Sequence, residues 1–201
     1  MAIKIDDVYV KQVNSIMSHL PQNPFIVDVI GKAIEISYAN RDTSKNYSDI
    51  LDLAAEAAAY VTANSSPTSY KYSLIASVLL AGVPYEKYEV IDTASGTVKD
   101  YVEAFSKFVF ADGYKQTWIE LNNLTKKDTD LLYLALLVMV HNTEAILKSE
   151  ATEGPSVKDK YDLAGMAYIE VSLRKSAITI PNRQYELYNK FMNLMMKKVQ
   201  F

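Results

Sequence analysis

The sequence predicts an all-α protein, a single-domain bundle of about eight helices formed by residues 1–201. Three observations carry this: apolar residues recur at helical spacing along most of the chain, Pro and Gly fall between the periodic segments, and the connections are short. With 201 residues, 49% of them hydrophobic and 22% charged, the chain has enough material for one packed core. The one soft boundary is residues 64–69, "NSSPTS".

The first helix is expected in "DDVYVKQVNSIMSHL", closed by Pro21. Asn23 before Pro24 is a start signal, because Asn caps free backbone N–H groups and Pro is tolerated in the first turn. The stripe behind that signal is Ile26, Val29, Ile30 and Ala33. A third helix begins near Ser48, with Ile50, Leu53, Ala54, Ala57 and Val61 inward and Asp49, Asp52 and Glu56 outward. A fourth, "YKYSLIASVLLAGVP", stops at Gly82 and Pro84. A fifth runs from a Thr97 and Asp100 cap along Val98, Tyr101, Val102, Phe105, Phe108 and Val109 to Gly113.

Thr125 with Asp128 is expected to cap the sixth, which carries ten uninterrupted apolar residues, Leu131–Val140, and an i,i+4 pair of Glu144 with Lys148. Ser156 with Asp159 opens the seventh, whose last turn holds Arg174 and Lys175. Pro181 opens the last, "NRQYELYNKFMNLMMKKVQ". The stretches 85–95 and 114–123 fit either period and are expected as small irregular or β segments, with Tyr88, Val90 and Ile91 in a short strand.

Composition narrows the function classes. The absence of cysteine removes thiol nucleophiles, thiolate metal sites and disulfides. Acidic residues interrupt "MAIKIDDVYVKQV" before a run of signal-peptide length can form, so a cytoplasmic protein is expected. Ten apolar residues rise about 15 Å as a helix against a hydrocarbon core of about 30 Å, so no membrane span is expected of Leu131–Val140. The net charge of -3 argues against a surface built throughout for phosphates. Residues 1–105 hold 8 basic and 13 acidic side chains and residues 106–201 hold 13 and 11, which makes the C-terminal half the favourable side for an anion.

No motif names an activity. The six glycines are scattered, so neither GxGxxG nor GxxxxGK[ST] is present to cradle phosphate. His19 and His141 are the only histidines and lie in no HExxH or ExxH pattern, so no zinc or di-iron signature forms. Neither a metal nor another cofactor is expected, and no catalytic residue is assigned. Asp49, Asp52 and Glu56 share one helix face, which could hold a hard cation but reads more simply as a solvated face. "YKYS", Tyr70–Ser73, alternates aromatic and basic as a stacking platform would, whereas tyrosines spread over every helix suit core and rim positions.

The last helix is the candidate partner surface, through Tyr188, Met192, Met195, Met196 and Val199, unless that wide face packs across the bundle on two sides. Lys126, Lys127, Arg174, Lys175, Lys197 and Lys198 are candidate anion or nucleic-acid contacts if their helix ends cluster. The reading that fits best is a non-catalytic helical binding protein, a subunit or adaptor of a larger assembly that meets other protein subunits or itself. A second is a helical subunit of a nucleoprotein complex binding nucleic acid through the C-terminal half. In general architecture such a chain is similar to the small helical subunits of CRISPR effector complexes, an analogy of fold alone. A third is a metal- or ligand-binding protein built on His141.

Overall fold

The computed structural model describes residues 7–40, 47–66, 70–92, 98–153 and 156–198. Among them all regular structure is helical, with ten α-helices, one 3-10 turn and no strand. The chain forms two compact units, residues 1–106 and 107–201.

The first unit holds α1 (Asp7–Ser18), α2 (Pro24–Ala39), α3 (Tyr47–Asn64), α4 (Tyr72–Leu79), α5 (Tyr85–Asp92) and most of α6 (Val98–Val109). The Asn23 side chain accepts from the Phe25 N–H at 3.0 Å, with Pro24 opening α2. Behind that cap, Ile26, Val29, Ile30, Ala33 and Ile34 are buried. α3 packs on both α1 and α4. Its buried face, Leu51, Ala54, Ala57, Ala58 and Val61, is mostly small, which lets two neighbours approach closely. α4 is buried from Ser73 through Leu80. It ends where the Leu80 N–H bonds the Ala76 carbonyl and Gly82 takes φ 79, a left-handed turn that suits glycine.

The stretch expected as a short strand around 85–95 is helix α5 through Asp92, and residues 93–97, including the Thr97 cap, lie outside the described residues. Tyr88 and Ile91, three apart, are both buried, while Val90 is 63% exposed. A strand would have put Tyr88 and Val90 on one face, whereas a helix puts Tyr88 with Ile91. The other ambiguous stretch, 114–123, lies in α7 (Gly113–Lys127), with Leu121 and Leu124 inward and Ile119 half exposed. These two helices raise the count from about eight to ten. Gly113, expected to end the preceding helix, takes φ 75 at the first residue of α7.

The second unit continues with α8 (Thr129–Glu153), α9 (Val157–Lys175), the 3-10 turn Asn182–Gln184 and α10 (Tyr185–Lys198). One residue separates α7 from α8. The Asp128 N–H bonds the Leu124 carbonyl, and its side chain accepts from the Asp130 N–H at 2.9 Å. The cap of α8 is therefore Asp128, not Thr125, whose hydroxyl donates back to the Asn122 carbonyl inside α7. From Leu131 to Val140 every residue of α8 is buried except Tyr133 and Val138, which are half-buried. α7, α9 and α10 all pack on it.

Contacts between the helices fix their directions. Tyr114 near the start of α7 stacks on Tyr168 in α9 with ring centroids 4.9 Å apart. Further along, Asn122 and Lys126 border the same shallow hollow as Ile178, just past the end of α9. Hence α7 and α9 run parallel. Arg183 pairs with Asp130 at the start of α8, and Lys190 with Glu144 further on at 2.9 Å, so α8 and α10 run parallel as well. With the reversal at Asp128, the second unit is an up-down-up-down four-helix bundle around α8.

Candidate functional site

The residues singled out for chemistry do not converge. His141 is half-buried on α8, and Glu144, three residues on, is in an ion pair with Lys190 of α10. Among the described residues no group of three or more His, Cys, Asp or Glu side chains is placed to hold a metal. On α3, Asp52 accepts a 2.7 Å hydrogen bond from Gln12 of α1, so it ties two helices together. Glu56 is exposed, and the Asp49 side chain lies outside the described residues.

The Tyr70–Ser73 tract serves the interior of the first unit. The Tyr70 ring is buried and its hydroxyl donates to the His19 carbonyl at 3.3 Å, an oxygen that the Thr62 hydroxyl also reaches. Burial pushes the Tyr70 phenol above the ordinary value of 10.0, with a hydrogen bond to Thr62 acting the other way. Tyr72 meets Phe25 edge-on at 5.7 Å, and Ser73 is buried.

The basic pairs divide between two ends of the second unit. Lys126 and Lys127 close α7, and Arg174 and Lys175 close the parallel α9, so these four lie at one end. Lys197 and Lys198 close α10, which runs the opposite way and ends at the other. Their side chains and the whole of Val199 lie outside the described residues. Arg174 is engaged with Glu170 at 2.7 Å, whose side chain is 5% exposed. One α-helical dipole thus ends beside a cation already held by its own helix.

In α10 the methionines separate. Met192 and Met195 are buried beside Phe191, Tyr188 is half-buried, and Met196 is 51% exposed. The width of the apolar face follows from α10 packing on both α8 and α9. Burial raises the Tyr188 phenol, the Glu170 carboxylate adds to this, and Arg174 opposes it.

Two features escaped the reading by residue type. The first is the outward face of α9. Leu163, Ile169 and Leu173 are buried, yet Ala164, Tyr168 and Val171 on the opposite face are exposed, Tyr168 and Val171 by 41% and 39%. Its signal was present in "LAGMAYIEVSL", whose one charged residue, Glu170, is buried, so that the outward positions Ala164, Tyr168 and Val171 lack the charges a surface helix normally shows. The second is a cleft of about 710 Å³ within the second unit. Phe108, Met139, Met166 and Ile169 give it apolar walls, and Asp112 and Asp162 are among its lining residues. Gly165 helps to form it: a Cβ there would lie 3.2 Å from the Cβ of Tyr114, so the missing side chain sets how near α9 comes to α7.

Thr129–Lys148 of α8, 20 residues, is long and apolar enough to cross a membrane by length and composition, which the ten-residue run alone understates. More than half of that stretch, 56%, is buried inside the protein, as expected of a core helix. Comparisons of the chain with protein-family models, with curated proteins and with solved structures found no match.

Proposed function

We propose that the chain is a non-catalytic helical binding protein, a subunit or adaptor in a larger intracellular assembly. The outward face of α9 supports this reading above all. A helix apolar on both sides exposes area that folding of its own unit leaves in water, and such area is ordinarily covered by a partner. Tyr168, with an apolar ring and a polar tip, is a residue type favoured at interfaces. Dispersed ion pairs such as Glu144 with Lys190 and Arg183 with Asp130 join helices, the work of structural charges. The reading takes residues 1–201 as one domain with two compact units, so one cooperative unfolding transition is expected in calorimetry.

The test is the pair Tyr168→Asp and Val171→Asp, made together on this exposed face. Wild-type protein should associate, with itself by light scattering or with a defined partner in native extract, and the double variant should lose that association while keeping its circular dichroism. A monomeric wild type that captures nothing, or association indifferent to both substitutions, overturns the reading.

A second reading, nucleic-acid binding, has one observation in its favour: Lys126, Lys127, Arg174 and Lys175 share one end of the second unit. It predicts retention on single-stranded RNA or DNA that falls steeply as salt rises. Absent or salt-insensitive retention removes it.

A further inference from the structure

The cleft of the second unit lies on the side of α9 away from Tyr168 and Val171. On α9 its lining is Asp162, Gly165, Met166 and Ile169, roughly half a helical turn around from Ala164, Tyr168 and Val171. The two faces share no residue of α9, and they meet where the Tyr168 ring touches the lining Tyr114. At about 710 Å³ it falls within the size range of small-molecule sites. Its walls combine aromatic and flexible sulfur side chains, Phe108, Tyr114, Met139 and Met166, residue types that adapt to an apolar body and are compatible with a positive charge. Two of its lining residues, Asp112 and Asp162, are acidic, and among the described residues no Lys, Arg or His lines it. Asp112 comes from the turn before α7, held beside the left-handed Gly113, and Asp162 from the first half of α9. Two acidic residues thus line one cavity from separate elements, while the absence of a third converging ligand among the described residues disfavours a bare metal ion.

We infer that this cleft binds an organic cation, an amine or quaternary ammonium carried on an apolar body. The apolar walls take the body out of water, and the negative charges of Asp112 and Asp162 on the lining favour a cation and repel an anion of the same shape.

Two ions of matched shape and opposite charge test this. Calorimetric titration of the full chain with tetraphenylphosphonium should show one binding site, and tetraphenylborate should bind about tenfold or more weakly. The double variant Asp112→Asn with Asp162→Asn should lower affinity for the cation about tenfold with unchanged circular dichroism. Ala145→Trp, at an exposed lining position, should fill the cleft and abolish cation binding. No binding of the cation, equal affinity for the two ions, or an affinity unmoved by the paired Asn substitutions overturns the proposal. Each of these results leaves the reading of the α9 outer face standing, because none of the substituted residues lies on that face and association is measured separately.

Discussion

The guanidinium of Arg183, on the 3-10 turn before α10, closes on the carboxylate of Asp130 in the first turn of α8, 53 residues earlier in the chain. Asp130 is nearly buried, with its side chain 8% exposed, while that of Arg183 is 41% exposed. The adjacent Gln184, fully buried, donates to the Thr129 carbonyl at 2.9 Å, so two consecutive side chains fasten the last helix to the start of the central one. Arg183→Ala removes the counter-charge from a desolvated carboxylate. Because one partner is open to solvent, the loss should be roughly 1–3 kcal/mol, below that of a fully buried pair. Urea midpoints measure it, and adding Asp130→Asn should recover part of the loss, since a neutral amide is less costly to bury than a carboxylate that has lost the Arg183 charge.

Leu134 is fully buried at the centre of α8. Leu134→Ala should cost about 2–5 kcal/mol through lost burial and a residual cavity. Leu134→Asp should abolish folding of the second unit, because it places a carboxylate at a fully buried apolar position. Circular dichroism and tryptophan fluorescence from Trp118 read both. A native spectrum for the Asp variant would show that α8 is not the centre of that unit.

Two helical glycines should respond in opposite ways. Around Gly31 in α2 an added Cβ meets nothing within 4 Å, so Gly31→Ala should stabilise by roughly 0.5–1 kcal/mol through restriction of the unfolded chain. At Gly165 the same group meets the Cβ of Tyr114, an atom that moves only with its backbone. Gly165→Leu should destabilise by about 1–3 kcal/mol as α7 and α9 are forced apart. Thermal melts of the two variants should shift in opposite directions.

Tyr70 makes the first unit sensitive to alkali. Its phenol is raised above 10.0 in the folded protein, chiefly by burial, so folding favours the protonated form. That contribution is complete below the unfolded value and is lost as pH rises through the folded one. Stability should thus fall above about pH 10, and Tyr70→Phe should flatten that part of the profile while losing about 1 kcal/mol at neutral pH with the bond to His19. An equally steep alkaline decline in the Phe variant would assign the loss to other groups.

Much of the architecture is legible in the chain because long helices repeat their pattern over several turns. Asn23 and Pro24 mark the start of α2 correctly, and the spacing of Val98, Val102, Phe105 and Phe108 matches the buried face of α6, whereas Val109, expected on the same face, is exposed at the helix end. α5 has eight residues, too few for a period of 2 and one of 3.6 to diverge, and burial of Ile91 rather than Val90 decided between them. "TKKDT" offers two overlapping capping patterns, and only the bond to Asp128 distinguishes them. The wide apolar face of α10 was visible, but whether Met192 and Met195 met core or partner depended on the direction of α8 and α9. The cleft could not be read along the chain at all, since its walls come from separate helices and its shape from atoms that Gly165 lacks.

The single residue between α7 and α8 makes chain length itself a structural variable. Each residue advances a helix by about 100°. One residue inserted or deleted at Asp128 would turn the face that α8 presents relative to α7 by that angle, and displace the Asp130 carboxylate from Arg183 as well. Substitutions at this reversal are tolerable in proportion to their chemistry, but changes in length are not. Natural variation in length is therefore expected to collect elsewhere, and a spacer placed here should disorganise the bundle more than the same spacer in any longer connection.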